Sequence, residues 1–322
     1  MTPFLMTMGD PAGIGPEIAL AAWAELRNEV PLVGIGDATH WRTVAQQVGL
    51  EVAVVPAPEA RTDAFPVIDR PAPSPISLGT PNPENAAAVV DWIQTGTVLS
   101  QSGKVRALVT NPINKAVLIE GAGFRHPGHT EFLAALDAKA DVVMMLASSE
   151  LRVVPATTHI PISQVPKALT ADGLATTIQI THAALKYDFA IANPRIAVAG
   201  LNPHAGEDGK IGTEEKTLIS PLLKHLVREG IEITGPLSAD TMFHPEARRQ
   251  YDVAICMYHD QALIPLKTLS FSDGANITLG LSFVRTSPDH GTAFGIAGQG
   301  IASSESLVSA IRMAEDIAAR RA

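Results

Sequence analysis

FLMTMGDPAGIGPEIALAAWAEL, residues 4–26, reads as a strand, a glycine-bearing turn and a helix in quick succession. The apolar run at 4–8 ends in MGDPAGIGPE (8–17), and an alanine- and leucine-rich segment follows at 16–26 with proline at its first helical position. Glycines in such a turn let backbone approach a ligand, and the helix start offers free N–H groups to an anion. Two familiar nucleotide loops are excluded. No Gly-Lys-Ser/Thr follows, so this is not a Walker A loop, and Gly13-Ile14-Gly15 lacks the third glycine of the dinucleotide fingerprint because position 18 is isoleucine. Spacing alone leaves two readings open, a ligand loop and a plain tight turn.

The strand–helix rhythm continues outward from there. Short apolar runs at 31–35, 51–55, 106–110, 141–146, 152–157, 195–199, 252–257 and 277–283 predict strands. Helical patterns lie at 84–100, 131–135, 171–187, 214–229 and 303–320. This alternation predicts an α/β protein with a largely parallel sheet. A single core rarely extends over 322 residues, so two lobes are expected. No repeat, low-complexity segment or clean linker separates them, which points to interleaved lobes. The proline-rich stretch 57–83, with Gly79, reads as a long connection or strap.

Composition narrows the function classes. Net charge is -9 and no Lys/Arg run appears, which speaks against a nucleic-acid partner. An overall acidic chain can still bind a small anion, because the local field decides. No apolar stretch approaches the roughly 20 residues a membrane span needs. A single cysteine, Cys256 in VAICMY, rules out an intrachain disulfide and reads as a small core residue. With no signal-peptide pattern at the N-terminus, a cytoplasmic location is expected.

The chemistry-bearing residues stand out by context. His159 in ATTHIP, His204 in LNPHAGEDG and His259 in MYHDQALIPLK each follow an apolar strand, where open α/β folds place their chemistry. Three neutral imidazoles on strand ends suit one divalent metal with an open position. The set fits zinc and also cobalt, nickel or manganese. His129 and Thr130 precede a helix in GHTEFL, with Thr130 also readable as its cap. Lys267 suits phosphate binding or proton transfer, Asn276 and Arg285 follow, and Arg285 is read as ending the strand LSFVR. Asp240 in PLSADT is a candidate base or carboxylate near the metal, or a helix cap. His40, His182, His225 and His244 read as solvated or capping residues. SPDHGTAFGIAGQGIA (287–302) reads as a small-residue loop with close backbone approach.

Taken together, MTMGDPAGIGPEI, TNPINKAV, GHTEF, ATTHIP, GLNPHAGEDG, MYHDQALIPLK, NITLGL and RTSPDHGTAF resemble the 4-hydroxythreonine-4-phosphate dehydrogenase family of pyridoxal phosphate biosynthesis. The match runs in the family's order from residue 6 to about residue 300. It implies a two-domain isocitrate/isopropylmalate-dehydrogenase-like fold rather than a Rossmann fold, in keeping with the absent fingerprint. The expected domains are 1–127 plus 286–322 on the nucleotide side, and 128–285 for metal, substrate and dimerisation. The resemblance implies a homodimer with its active site at the subunit interface and between the domains. The metal falls on His159, His204 and His259, the last supplied by the partner chain. It places substrate binding on His129, Thr130, Lys267, Asn276 and Arg285. His290, Gly291, Thr292 and Ala293 take the positions of an adenosine-binding loop in the wider dehydrogenase group. No arginine pair for a 2′-phosphate appears there, so NAD is expected before NADP.

The expected reaction is NAD- and divalent-metal-dependent oxidation of 4-phosphooxy-L-threonine to a 3-keto acid that loses carbon dioxide, giving 3-amino-2-oxopropyl phosphate. Lys267 and Asp240 are the expected acid–base residues, and zinc, cobalt, magnesium, manganese and nickel are the candidate metals. The alternatives are a paralogue acting on erythronate or threonate 4-phosphate, a metal-dependent phosphoester hydrolase, and a phosphometabolite-binding protein.

Overall fold

A computed structural model describes residues 2–139 and 141–321. In chain order the first half runs β1 (Phe4–Thr7), α1 (Gly15–Leu26), β2 (Leu32–Gly36), α2 (Ala38–Gln47), β3 (Val54–Pro56), β4 (Phe65–Asp69), α3 (Ala86–Gln101), β5 (Leu108–Val109), α4 (Lys115–Ala122) and α5 (His129–Leu136). There follow β6 (Val143–Ala147), β7 (Arg152–Pro155), α6 (Val165–Ala168), α7 (Ala171–Tyr187), β8 (Arg195–Ala199), α8 (Ser220–Arg228), β9 (Glu232–Leu237), α9 (Pro245–Arg248), β10 (Val253–Cys256) and α10 (His259–Leu269). The chain closes with β11 (Ala275–Leu279), β12 (Arg285–Pro288) and α11 (Glu305–Arg321).

Two compact units result. One comprises the residues up to 139 together with Ala275–Arg320, and the other is Asp141–Gly274. Residues 128–139 and 275–285, expected with the second domain, are grouped with the first. There α5 packs on α3, and β11 pairs with β12.

The strand order of the first unit is β3-β4-β2-β1-β5-β12-β11. All its neighbours are parallel except β12 and β11. In the second unit the order is β6-β7-β10-β8-β9, parallel except for β6 and β7. Strands flanked by helices bury both faces, so they are continuous apolar runs rather than alternating ones. All four residues of β1 and all four of β10 are buried.

Three strands differ from the sequence expectation. β4 lies inside the proline-rich stretch 57–83, where prolines mask the short apolar run at its start. β9 carries glycine, proline and a half-exposed face, which blurs its pattern. The run 277–283 is not one strand: Gly280, at φ 92, turns the chain after Leu279. It returns antiparallel as β12, with Ile277 opposite Thr286. Arg285 therefore opens β12 instead of ending a strand.

The first unit's core closes around Trp23 of α1, Trp41 of α2 and Phe65 of β4. The Phe65 ring meets the two indoles edge-on at centroid distances of 5.9 and 5.1 Å. Such pairs add about 0.5–1.5 kcal/mol each beyond area burial. A β-carbon on Gly34 would stand 2.7 Å from the Phe65 ring, so this cluster needs glycine in β2. The second unit buries Leu146, Val153, Ala197, Ala254, Cys256 and Leu266 together.

His40 departs from its surface reading. It is buried on α2, with Nε2 hydrogen-bonded to the Pro11 carbonyl at 2.8 Å. Burial lowers its pKa, against the opposing pull of that hydrogen bond and of Asp37. Its neutral form therefore stabilises the fold above the unfolded-state value of 6.5, and this contribution is lost as pH falls through the lower folded-state value. His40→Gln keeps a donor for Pro11 but cannot protonate. Wild type is expected to lose stability relative to this variant as pH drops below 6.5, read from denaturant midpoints. A pH-independent difference would refute the assignment.

Candidate functional site

In the second unit the chemistry gathers at strand C-termini. β7 and β10 are parallel neighbours, with Ala254 beside Val153. The segments leaving them carry His159 and His259, whose rings approach to 5.5 Å between centroids. A cavity of about 200 Å³ opens there, lined by both imidazoles, Thr157, Tyr258 and Asp260. His159 sits at φ 53, a conformation few residues adopt without support. Support comes from Thr157, whose hydroxyl donates to the Met257 carbonyl at 2.7 Å. His259 begins α10, and its Nδ1 is hydrogen-bonded to Asp260 at 2.7 Å. A carboxylate on Nδ1 selects the tautomer that leaves Nε2 as a ligand lone pair.

His204 is presented differently. Residues 204–208 form a left-handed turn, with φ between 42 and 80 throughout. Buried Glu215 ties it down. One carboxylate oxygen accepts the Asn202 backbone N–H at 2.7 Å, and the other accepts the Asn202 side-chain amide at 2.9 Å. A β-carbon on Gly206 would fall 2.6 Å from this carboxylate. Gln261 links the loops after β8 and β10: its amide donates to the Gly200 carbonyl at 2.8 Å and its oxygen accepts Met257 N–H at 2.6 Å. Asp240 is exposed and accepts the Ser238 hydroxyl at 2.5 Å. That bond lowers its pKa, with further help from its own backbone and the charge of nearby His204. Lys267 lies in the last turn of α10, its Nζ 5.4 Å from the centroid of the Phe271 ring.

Among the described residues, no three His, Cys, Asp or Glu side chains gather closely enough to hold a metal. The chain itself pairs two imidazoles, His159 and His259, and sets His204 beside Asp240. Neutral imidazole donors with an aligned tautomer suit a divalent transition metal in kind.

The first unit carries a different constellation. Arg285 is 3% exposed, and among the described residues no carboxylate forms an ion pair with it. Its guanidinium donates to the Thr110 hydroxyl at 3.1 and 2.7 Å and to the Thr278 hydroxyl at 2.9 Å. Burial lowers its pKa to about 10 against the pull of Glu131. His129 opens α5 after Gly128, which leaves Thr130 inside the helix and not at its cap. His129 Nε2 is buried without a hydrogen-bond partner. Burial first, then the Arg285 charge, pushes its pKa well below the usual histidine value. Asn276 stands on β11 two residues from Thr278, on the same strand face, and its Oδ1 is also buried without a partner. A buried guanidinium that forms no ion pair among the described residues has the charge to attract a small anion. Thr110 and the orphaned Oδ1 of Asn111, in TNPINKAV, are residues that the sequence reading quoted without assigning.

The glycine-rich turn and the loop after β12 meet. Ile14 N–H donates to the Thr292 carbonyl at 2.9 Å, and a β-carbon on Gly13 would stand 2.8 Å from that same oxygen. His290 Nε2 is buried without a partner, and Ala293 adopts φ 44. The four expected cofactor residues thus lie in one loop, packed against the first helix start.

The profile of the family described as pyridoxal phosphate biosynthetic protein PdxA matches residues 27–314. The 4-hydroxythreonine-4-phosphate dehydrogenase of Ruegeria sp. (strain TM1040) is 52% identical, over 98% of this chain and 97% of its own length. The enzyme of the same name from Caulobacter vibrioides is 50% identical, over 99% and 98%. The crystal structure of the Klebsiella pneumoniae 4-hydroxythreonine-4-phosphate dehydrogenase superposes with a TM-score of 0.86 at 38% identity, covering 99% of this chain and all of that one. The chain is thus an α/β dehydrogenase with the fold of that enzyme. It belongs to the PdxA family of pyridoxal phosphate biosynthetic proteins.

The buried guanidinium sets a test. Arg285→Met removes a buried charge while keeping most of the volume, a change that is often neutral or stabilising. The variant is expected to melt at or above the wild-type temperature. Inorganic phosphate is expected to raise the melting temperature of wild type and leave the variant unmoved. Equal phosphate stabilisation of both would remove Arg285 from the anion site.

Proposed function

We propose that the chain oxidises 4-phosphooxy-L-threonine with NAD, NADP being the second choice, and releases 3-amino-2-oxopropyl phosphate and carbon dioxide. The observation that carries this reading is Arg285: buried, held only by hydroxyls, beside an unpartnered neutral imidazole. It supports recognition of a small phosphorylated acid, in line with the names of the relatives.

In this reading Arg285, Lys267 and Asn276 bind the substrate's anionic groups, and His129 and Thr130 orient it. A neutral His129 adds no charge beside Arg285 and offers Nε2 to a substrate hydroxyl or amine. The secondary hydroxyl gives up its proton to a base, for which ionised Asp240 is the candidate. A hydride leaves the same carbon, whose bond to oxygen becomes a carbonyl. The resulting 3-keto acid breaks its C1–C2 bond, carbon dioxide departs, and the electron pair left on C2 takes a proton from Lys267. NAD, cradled by His290, Gly291, Thr292 and Ala293, supplies the hydride acceptor. A divalent ion held by His159, His204 and His259 (zinc, cobalt, magnesium, manganese or nickel) supplies Lewis-acid stabilisation of developing oxyanions.

Among the described residues, one chain brings together His159 and His259, and no third His, Cys, Asp or Glu joins them closely enough to hold a metal. The homodimer in which the partner chain supplies His259 is proposed from the resemblance to the family, since His159 and His259 of one chain already lie 5.5 Å apart between ring centroids. A metabolic enzyme of this kind belongs in the cytoplasm. No helix among the described residues is long and apolar enough to cross a membrane.

The test is NADH formation with 4-phosphooxy-L-threonine and, in parallel, with erythronate 4-phosphate, each with divalent metal and with chelator. Metal-dependent signal from the amino acid alone is expected. Signal from the sugar acid alone would move the chain to the paralogous activity, and none from either would favour a hydrolase or a binding protein. His204→Ala is expected to lower bound metal per dimer, measured by elemental analysis, and to abolish turnover without changing the melting profile. Full metal content in this variant would remove His204 from the ligand set.

A further inference from the structure

The loop after β12 is expected to hold the adenosine end of the cofactor, yet little in it is rigid by composition. Residues 293–302, AFGIAGQGIA, have no charged side chain and three glycines. Gly298 and Gly300 adopt φ of 76 and 67, and Ala293 lies at φ 44. A segment like this loses much backbone entropy when it is fixed. Something must hold it.

Glu17 does so from the first turn of α1. It is 4% exposed, and its Oε2 accepts the Gly298 N–H at 2.7 Å. Burial raises the Glu17 pKa, and the backbone N–H groups of Gly298, Ala302 and Gly300, which face this carboxylate, oppose that rise. Backbone N–H groups converging from a left-handed stretch make an anion-binding concavity. Here the anion is internal. Its other oxygen, Oε1, is buried without a hydrogen-bond partner, so the contacts of this carboxylate run through Oε2 to the loop, near the positive end of α1. Neighbouring contacts complete the clamp. Gln47 of α2 donates to the Gly298 carbonyl at 3.2 Å, and a β-carbon on Gly298 would meet Leu78 at 2.6 Å. The Ile14 N–H bond to the Thr292 carbonyl fixes the other end of the loop.

We propose that Glu17 is a positioning residue for the dinucleotide: its carboxylate fills the backbone concavity of residues 298–302 and presets the loop that carries His290–Ala293 for the adenosine end. The inference rests on the proposed role of that loop in cofactor binding. Glu17 touches neither substrate nor reacting atoms, so it acts on the fraction of chains whose loop is ready to bind. Apparent Kd rises in inverse proportion to that fraction. Chemistry on the bound complex is untouched.

The test uses the full-length protein with Glu17→Ala and Glu17→Gln. The readouts are calorimetric titration with NAD, amide hydrogen exchange of peptides covering 294–302, and steady-state kinetics at saturating NAD. Glu17→Ala is expected to raise the NAD Kd by about tenfold, as a tenfold loss of ready loop dictates. Exchange in 298–302 is expected to speed up, while kcat at saturating NAD and substrate KM stay near wild type. Glu17→Gln keeps a carbonyl oxygen for Gly298 but not the charge, and is expected to fall between; it also carries the test if the alanine variant does not fold. Faster exchange with an unchanged NAD Kd would make the carboxylate purely structural and overturn the proposal. Unchanged exchange would overturn the latch itself. A wild-type protein that binds neither NAD nor NADP would sink the dehydrogenase reading and the latch's role with it, and the wild-type titration alone separates that case from a failed latch.

Discussion

A guanidinium kept in a buried position, with no ion pair among the described residues, constrains everything around it. Removing a charge from water costs several kcal/mol even after relaxation. The first unit offsets part of that cost with two threonine hydroxyls from neighbouring strands, Thr110 just past β5 and Thr278 on β11. This requires β12 to run beside β5 on one side and to reverse from β11 on the other. The turn at Gly280 is what allows that reversal. Burial first, and then the repulsion of a second cation by the same charge, lower the pKa of the neighbouring His129 imidazole. One buried charge thus ties strand pairing, a glycine and a protonation state together.

The second unit meets its own demand through backbone geometry. An imidazole aimed from a loop needs that loop to be stiff, and left-handed residues are the means. His159 and residues 204–208 hold positive φ where ordinary side chains resist it. The cost is carried by polar side chains behind them: buried Thr157 for the first, buried Glu215 with half-buried Asn202 for the second. Gln261 then ties the two strand exits to one another. Parallel pairing of β7, β10 and β8 does the coarse placement, and these polar side chains do the fine placement.

The sequence carried this coarse level well. Strand-to-helix alternation, the failed dinucleotide fingerprint, and histidines following apolar runs all have local signatures. β1, β8 and α7 appear within a residue of the patterns that announce them. What lay hidden depends on non-local contacts. β12 is short and ordinary in composition, and only its pairing with β5 and β11 makes it a strand. Nothing about Glu215 or Glu17 in sequence distinguishes a buried tie from a solvated helix carboxylate. His40 looked like a surface histidine because its partner, the Pro11 carbonyl, is 29 residues away. Gln261 was inside a quoted motif but unassigned, since an amide signals nothing until its two backbone partners are known.

Glu17 and Arg285 are opposite answers to one problem, a buried charge in the same unit. Glu17 is answered in part internally, by backbone N–H groups that its own chain supplies against the cost of burial. Arg285 is hydrogen-bonded by neutral hydroxyls, with the charge of Glu131 acting from a distance. A hydrolase or a passive binder needs the second kind of charge but has no use for a preset, glycine-rich loop packed on a helix start. A dehydrogenase needs both, because it must seat two ligands with different demands: an anionic acid that wants a field, and an adenosine that wants a shaped, largely apolar backbone surface. The pairing of these two solutions within one unit is the physical reason to read the fold as a dinucleotide enzyme, even though its turn at residues 8–17 lacks the fingerprint of the commoner dinucleotide fold.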